Sequence, residues 1–355
     1  MQRLMSTAPT PLSPDGAARR WKNPWARLPL WRWLSQAAFL VLVTSAGVEF
    51  ALFVDSLRRG EMPSVTRPPS VEGFLPISAL MGLKRLLLTG EYDEVHPAGL
   101  TIFIVALVTA VLARKAFCGW VCPVGTLSRA LEWLGTRLLR RRRRRDVLVP
   151  PWLDALLMLP KYVVLGFFAY VVLVRMDLAA LLAFMHSPYN YAVDAKMLDF
   201  FVAMSTTTAV VLLALAALSL VIKNFWCRYL CPYGALLGVS AASPLAVVRR
   251  EQTCIDCKLC TRVCPSEIKV HAKYRVLSPE CTGCLNCLAV CPVADTLTLT
   301  GRGPRGLSPY LVPAIMIGSF VLAWALAVVT GHWQTTVPLA VLGEMYQHSA
   351  TLPHP

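Results

Sequence analysis

Two copies of one cysteine spacing stand in this chain: Cys254-Ile-Asp-Cys-Lys-Leu-Cys-Thr-Arg-Val-Cys-Pro265 and Cys281-Thr-Gly-Cys-Leu-Asn-Cys-Leu-Ala-Val-Cys-Pro292. Each cysteine of the second copy lies 27 positions after its counterpart in the first. Together the copies contain eight of the twelve cysteines of the 355-residue chain. A spacing that repeats at all four positions indicates a ligand framework rather than scattered thiols.

This spacing holds two [4Fe–4S] clusters in bacterial ferredoxins, where the fourth cysteine of each run ligates the other cluster. Three cysteines separated by two residues fit one face of a cubane, and the fourth is too far along the chain to close it. Zinc sites or disulfides are less favoured, because zinc ligands usually form two close pairs with a long gap. The predicted ligands are Cys254, Cys257, Cys260 and Cys291 for cluster 1, and Cys281, Cys284, Cys287 and Cys264 for cluster 2.

The composition indicates an integral membrane protein. Hydrophobic residues make up 56% of the chain and charged residues 15%, whereas soluble domains carry about 25% charged residues. The mean hydropathy of +0.54 agrees. The net charge of +15 does not indicate a nucleic-acid partner, because the basic residues stand beside apolar segments, as in membrane proteins.

Five segments are apolar enough to be predicted as transmembrane helices, which need about 20 residues. They cover residues 34–54, 98–113, 152–174, 201–222 and 310–330. The second is the shortest. The cysteine-rich stretch lies between the fourth and fifth segments and is flanked by weak strand-like sequences.

Lysine and arginine are distributed unevenly between the loops. Three segments carry 27 of them, and three alternating segments carry seven. The rich segments are 1–33, 114–151 and 223–306, and the poor ones are 55–97, 175–200 and 331–355. Cytoplasmic loops carry the excess of basic residues. This predicts a bacterial inner-membrane protein whose N-terminus and cysteine-rich insert are cytoplasmic and whose C-terminus is periplasmic.

The predicted fold is an all-α polytopic membrane protein of five transmembrane helices with an inserted α+β, bacterial-type two-cluster ferredoxin domain. Strands are expected at 247–249 and 296–300, on the two sides of the insert. The predicted parts are a cytoplasmic N-terminal segment 1–33, a membrane domain 34–246, the ferredoxin domain 247–306, a fifth transmembrane helix 307–333 and a periplasmic tail 334–355.

The other four cysteines form a second repeat. Phe117-Cys-Gly-Trp-Val-Cys-Pro123 matches Trp226-Cys-Arg-Tyr-Leu-Cys-Pro232 at an offset of 109. Residues four apart lie on one face of a helix, so each pair presents two sulfurs in one direction. We therefore expect Cys118, Cys122, Cys227 and Cys231 to converge on one site. A further metal, an additional cluster and a dithiol switch all remain open for it, and four separate buried thiols are the alternative.

These motifs resemble the membrane-bound polyferredoxins of the NapH, NosR and CcoG type. The resemblance also rests on Gly73-Phe-Leu-Pro-Ile, Lys196-Met-Leu-Asp-Phe-Phe201 and Glu280-Cys-Thr-Gly-Cys. It covers nearly the whole chain, from about Trp31 to Trp333. The resemblance implies electron transfer across or along the bacterial inner membrane, in some members from quinol.

The predicted function is iron–sulfur electron transfer between a quinol pool or a cytoplasmic donor and an unidentified redox partner protein. One alternative is reduction of a copper ion at the C-x3-C-P cysteines, because soft thiolates select Cu(I). The other is a redox-sensing maturation or regulatory factor. The membrane is the one partner that the composition itself establishes.

Weaker candidates lie in and beside the apolar segments. Glu49 stands inside the first segment, where a carboxylate is costly and is often functional. Lys161 is predicted to snorkel to the membrane surface. The arginine run 140–145 is expected to bind anionic lipid. Three histidines beside the apolar segments are candidates for haem or quinol contact; they are His96, His186 and His332.

Overall fold

The computed structural model describes residues 23–140, 149–301, 306–349 and 351–352, and this part of the chain is mainly helical. Its helices are α1 (Leu28–Arg58), α2 (Pro76–Thr89), α3 (Pro97–Ala113), α4 (Ala116–Trp120), α5 (Pro123–Arg140), α6 (Pro151–Tyr170), α7 (Leu178–Met185), α8 (Pro188–Val202), α9 (Thr206–Val221), α10 (Pro232–Ser240), α11 (Leu259–Arg262), α12 (Asn286–Ala289), α13 (Leu311–Val329) and α14 (Leu339–Gln347). The strands are β1 (Val247–Arg250), β2 (Leu297–Thr300) and β3 (Gly306–Leu307). Short 3₁₀ turns cover Pro69–Phe74 and Val270–Ala272, and π-helical turns cover Val171–Arg175 and Trp226–Leu230.

Three of the described helices are long and apolar enough to cross a membrane. They are α1, α6 with its π-helical extension to Arg175, and α13. The pair α8 and α9, bent by 73°, is a fourth candidate. Helix α3 has 17 residues, fewer than the roughly 20 that a straight span needs. The described residues therefore contain three or four candidate spans, and the count of five stays a prediction.

We call the helices outside the cysteine-rich insert the helical half. Helix α3 lies at its centre. Most of its residues are buried or half-buried, among them Leu100, Phe103, Ala106 and Ala110, whereas Val108 and Val111 are exposed. It packs against α2, α10 and α13. A helix that is apolar all round is suited to burial. The segment predicted as the second span is thus a largely buried helix that packs against helices on several sides.

One end of α3 meets a buried polar network. Arg67 contacts Glu72 at 2.5 Å and Asp194 at 2.7 Å, and both carboxylates are fully buried. The hydroxyl of Tyr346 in α14 donates to Asp194 at 2.7 Å. This network ties α14 and α8 to the segment before α2. The C-terminal residues up to Gln347 are therefore part of the packed structure.

The cysteine-rich insert lies at the other end of α3. Strand β2 pairs antiparallel with β1 and with β3, and Val247 stands opposite Thr300. The predicted strands on the two sides of the insert are confirmed. One hydrophobic core joins the insert to the helices, because Trp120 and Leu237 pack in the same cluster as Ile268 and Leu285. The insert is packed directly onto the helical half.

Candidate iron–sulfur sites

Two cavities lie inside the insert, and each is lined by four thiols. The first is lined by the thiols of Cys254, Cys257, Cys260 and Cys291. The second is lined by the thiols of Cys264, Cys281, Cys284 and Cys287. The cavities divide the eight thiols in the way that the crossed ligand sets require. Four cysteines per site are the donor set of a [4Fe–4S] cluster, so the residues present fit this group.

The backbone around the two cavities repeats together with the cysteines. Asp256 and Lys258 have φ angles of 52° and 60°, and the matched Gly283 and Leu285 have φ angles of 58° and 57°. A positive φ is uncommon outside glycine and is retained where the surrounding structure requires it. The repeated left-handed residues therefore mark a loop shape that both cavities need.

Burial is the main influence on the pKa of the thiols of Cys264 and Cys287. It raises the pKa of Cys264 to about 12, and burial together with the neighbouring cysteines raises the pKa of Cys287 well above its usual range. The thiolate is the form that ligates iron. Deprotonation of these thiols is therefore coupled to metal binding.

The thiols around each cavity do not converge on a single point. Within the part of the chain that the structure describes, no three His, Cys, Asp or Glu side chains are placed to hold one metal ion. That statement includes the cysteines of both cavities. The thiolates of a cubane bind four different irons, so they surround a volume rather than converge on a point. The arrangement in both cavities is compatible with a cluster.

Two of the remaining four cysteines stand at the starts of matched helices, and the other two, Cys118 and Cys227, lie in the short helical turns before them. Cys122 precedes Pro123, the first residue of α5, and Cys231 precedes Pro232, the first residue of α10. The Sγ of Cys231 accepts a hydrogen bond from the amide of Gly234 at 3.3 Å. A helix N-terminus carries partial positive charge, which favours a thiolate there.

The structure brings these two motifs together. Burial raises the pKa of Cys118 well above its usual range, and the neighbouring thiols of Cys122, Cys231 and Cys227 raise it further. Burial also raises the pKa of Cys122 to about 11, although the amide of Gly125 opposes the shift. Thiols of one motif thus act electrostatically on thiols of the other. The ring of Phe117 in the first motif also lies 5.8 Å, between centroids, from the ring of Tyr233 just after the second. Convergence of the four thiols on one site stays a prediction.

The loop that lines the second cavity lies directly on both motifs. The amide of Lys115 donates to the carbonyl of Cys281 at 3.4 Å, and Nε1 of Trp120 donates to the carbonyl of Gly283 at 3.1 Å. Just before the other motif, Nδ2 of Asn224 donates to the carbonyl of Pro265, which also lines the second cavity, at 3.3 Å. The contacts come from both halves of the membrane repeat. The second cavity, rather than the first, therefore faces the four-cysteine site.

A buried ion network fixes this arrangement. The two oxygens of Glu280 lie 2.7 Å from Nζ of Lys161 and 3.1 Å from Nζ of Lys115. Burial alone would raise the pKa of Glu280, but the ammonium groups of Lys115 and Lys161 outweigh it and hold the pKa below its usual value. The prediction that Lys161 snorkels is wrong, because its side chain is 0% exposed. The partner that holds it inside is the residue directly before Cys281.

A second network of ion pairs holds the insert against the other motif. Arg228, which stands between Cys227 and Cys231, contacts Glu267 at 2.5 Å and Asp154 of α6 at 2.7 Å. The hydroxyl of Tyr229 also donates to Asp154, at 2.6 Å. The insert is thus held to α6 and to both motifs by charged groups that are largely shielded from solvent.

Comparisons with known proteins agree with these sites. A family model described as a 4Fe-4S binding domain matches residues 95–145 and 204–250, which contain the two C-x3-C-P motifs. A model described as a 4Fe-4S dicluster domain matches residues 246–292. "Putative electron transport protein YccM" of Escherichia coli is 40% identical over 324 residues, covering 89% of each chain. The chain belongs to the membrane-bound ferredoxin-type proteins.

Other relatives in this family share shorter stretches. The ferredoxin-type protein NapH of Escherichia coli is 29% identical over 57% of this chain and 68% of its own. The protein NirI of Paracoccus denitrificans is 30% identical over 67% of this chain and 34% of its own. No solved structure matches the chain significantly. Family membership, the [4Fe–4S] clusters and the role in electron transport are thereby established at the level of the family.

The weaker candidates do not join these sites. Glu49 is exposed on the outer face of α1 and forms no ion pair among the described residues. His96 is buried, and its Nε2 lies 2.9 Å from the carbonyl of Asn190. His186 is exposed, and the ring of His332 lies 4.6 Å from that of Tyr92. The three histidines are therefore placed separately. The arginine run lies outside the described residues beyond Arg140.

Several residues that hold the sites were not singled out from the sequence. Besides Glu280 they include Arg32, whose Nη1 donates to Oδ1 of Asn286 at 2.7 Å, and Asn23, whose Nδ2 donates to the carbonyl of Leu288 at 2.8 Å. For Glu280 a signal existed, because it stands directly beside a ligand. The partners lie more than a hundred residues away in sequence, so adjacency alone does not identify them.

Proposed function

We propose that this protein carries electrons between a partner at cluster 1 and a third redox site at the membrane, through cluster 2. The third site consists of Cys118, Cys122, Cys227 and Cys231. The clusters supply one-electron transfer, whereas the chain positions them and controls their surroundings. The ligand sets are the crossed ones, with Cys291 at cluster 1 and Cys264 at cluster 2.

One observation carries the proposal: the first C-x3-C-P motif contacts the loop of the second cavity, and Asn224, two residues before the second motif, contacts Pro265 in the wall of that cavity. Gly119, inside the first motif, approaches Thr282 so closely that a Cβ on Gly119 would lie 2.4 Å from the Thr282 carbonyl oxygen. Thr282 follows Cys281 directly. Close contact between successive sites is what an electron relay needs, and no side chain stands between the two backbones at this point.

The third site is proposed to hold a further [4Fe–4S] cluster. Support comes from the packing of the two motifs against each other through Phe117 and Tyr233, from the two helix N-termini beside Cys122 and Cys231, and from the 4Fe-4S binding domain model that matches both motifs. A cluster there would lie where the helical half meets the insert. It is suitably placed to exchange electrons with quinol in the bilayer, which we propose as the membrane partner.

The proposed location is the bacterial inner membrane, with the insert in the cytoplasm and the C-terminus in the periplasm. The unequal distribution of Lys and Arg supports this orientation. Basic residues of three segments gather around the insert, among them Arg32, Lys115 and Lys223. Alkaline phosphatase fused after Pro355 is expected to be active, and the same enzyme fused after Gly301 inactive. The reverse pattern would contradict the orientation.

Iron analysis tests the third site. Protein purified without oxygen is expected to hold about twelve irons per chain, and the variant with serine at positions 118, 122, 227 and 231 about eight. EPR after dithionite reduction is expected to lose one signal in the variant and keep the two of the insert. Equal iron in both proteins, with copper lost from the variant, would replace the third cluster by a copper site.

A further inference from the structure

The loop of the first cavity is exposed where the loop of the second is covered. Ile255 beside Cys254 is 44% exposed, and Lys258 is exposed at the position matched by the buried Leu285. Arg250, Lys258 and His271 line the first cavity together with its four cysteines. Cluster 1 is therefore the end of the relay at which a soluble protein has access.

Charge is distributed unequally over the insert. Two of its acidic residues, Glu267 and Glu280, point inward and pair with basic residues of the helical half. The exposed acidic residues are Asp256 and Asp295. The exposed basic residues are Lys258, Arg262, Lys269, Lys273 and Arg275. Asp256 lies 3.7 Å from Lys258, and the half-buried Glu251 pairs with Arg249. Because Glu267 and Glu280 pair with the helical half, the exposed basic residues of the insert still outnumber its exposed acidic ones.

Contacts connect several of these basic residues to the first cavity. Nη2 of Arg262 donates to the carbonyl of Cys257 at 3.0 Å. Arg250 lines the cavity, and its amide donates to the carbonyl of Tyr274 at 2.9 Å. Lys273 and Arg275, the chain neighbours of Tyr274, therefore lie close to the cavity. We name Arg250, Lys258, Arg262, Lys273 and Arg275 the basic collar.

We propose that the basic collar docks an acidic one-electron carrier protein, of the flavodoxin type, for electron transfer with cluster 1. This inference rests on the proposed relay and names the partner at its outer end. Opposite charge on two partners steers their encounter and raises the association rate by a factor of about 10 to 1,000 at low salt. The exposed apolar side chains of Ile255 and Tyr274 offer the contact surface inside the collar.

The electron balance of the step is simple. An anionic flavin hydroquinone gives up one electron and becomes the neutral semiquinone, so no proton moves. The [4Fe–4S] cluster accepts that electron and passes from its 2+ to its 1+ state. No bond forms or breaks, and the step needs no further reagent.

The test uses the full chain with its clusters in nanodiscs, mixed with flavodoxin hydroquinone in a stopped-flow instrument. The collar variant is Lys258→Glu/Arg275→Glu. Its matched control is Arg59→Glu/Arg175→Glu, which makes the same charge change at two exposed positions at the far end of the helical half. Reduced methyl viologen, a small cation, serves as the second electron donor.

At low salt the collar variant is expected to accept electrons from flavodoxin at least about tenfold more slowly than the wild type, and the control variant at the wild-type rate. The wild-type rate is expected to fall steeply with added salt. Reduction by methyl viologen is expected to be no slower in the collar variant. Equal flavodoxin rates in both variants, or equal slowing with both donors, would overturn the docking proposal.

Lipid composition separates the carrier from the membrane surface as the collar's partner. The effect of the collar variant is expected to be the same in nanodiscs of phosphatidylcholine and of phosphatidylglycerol. An effect seen only in the anionic lipid would assign the collar to lipid and overturn the proposal. EPR of the same samples distinguishes the two proposals. Absent cluster signals would contradict the relay itself. Normal cluster signals, together with flavodoxin reaction rates that do not depend on the charge of the collar, would contradict only the docking.

Discussion

The two cysteine runs have the same backbone and opposite surroundings. Helices α11 and α12 and the left-handed residues of both loops recur at matched positions. At those positions, however, the first run has Asp256, Lys258 and Arg262, where the second has Gly283, Leu285 and Ala289. The first run is exposed and the second is buried against the helical half.

The difference teaches that the spacing of the ligands and the placement of the clusters are encoded separately. Cysteine spacing and loop shape make a cluster site, and both runs satisfy them. The residues between the cysteines decide what the site faces. Small and apolar residues allow backbone contact with the motifs, whereas charged residues keep the other loop in solvent.

The largest effect is expected from the crossed cysteines. Cys264→Ser, although it lies in the first run, should remove the cluster held mainly by the second run, and Cys291→Ser should remove the other. Each variant is expected to lose about four irons. EPR should show which signal survives. If each substitution perturbs only the cluster of its own run, the ligand sets are not crossed.

The next effect concerns the close contact between the second run and the helices. A Cβ at Gly283 would lie 2.6 Å from the carbonyl oxygen of Ala113, and the residue has a φ of 58°. Gly283→Ala is expected to cost about 1–3 kcal/mol from overpacking and to weaken the docking of the insert. Limited proteolysis, which should become faster around residue 301, measures it.

Gly318→Ala is the matched control, because nothing lies within 4 Å of a Cβ at Gly318. Asp256→Ala, at the equivalent left-handed position of the first run, should leave the docking intact. Equal proteolysis of Gly283→Ala and Gly318→Ala would show that close backbone contact does not hold the insert.

Breaking the ion network of the second run is expected to destabilise the chain by a similar amount. Glu280→Gln leaves the buried ammonium of Lys161 without its carboxylate, which costs about 3 kcal/mol. A lower Tm of the full chain should report this. Asp55→Asn, which removes the exposed pair with Arg59, should cost less than about 1 kcal/mol.

The double variant Glu280→Gln/Lys161→Met measures the interaction between these two side chains. Removing both charges should recover part of the loss, because the ammonium of Lys161 is then gone, whereas that of Lys115 stays buried without a carboxylate. A double variant as unstable as the sum of the single variants would mean that the two residues act independently.

The smallest effect is a difference in accessibility. Because the first loop is exposed and the second is covered, cluster 1 should lose iron to a bulky chelator several-fold faster than cluster 2. The decay of the two EPR signals during incubation measures the ratio. Gly283→Ala should bring the two rates closer together. Equal rates in the wild type would contradict the difference in exposure between the runs.

The sequence by itself determined the chemistry of this protein. Cysteine spacing is a local property, so the eight ligands, the strands beside them and the family follow from adjacent residues. Apolar length likewise identified the helices α1, α6 and α13. These inferences need no knowledge of what packs against what.

Only the tertiary structure decided which cluster faces the helices and what holds it there. Lys161 in an apolar segment is compatible with snorkelling until a carboxylate 119 positions away is brought within 2.7 Å. The apolar segment of α3 is equally compatible with a lipid-facing span and with an interior helix, because both environments favour the same residues. Only contacts between residues far apart in the chain distinguish these cases, and the order of residues along the chain does not show which distant residues meet.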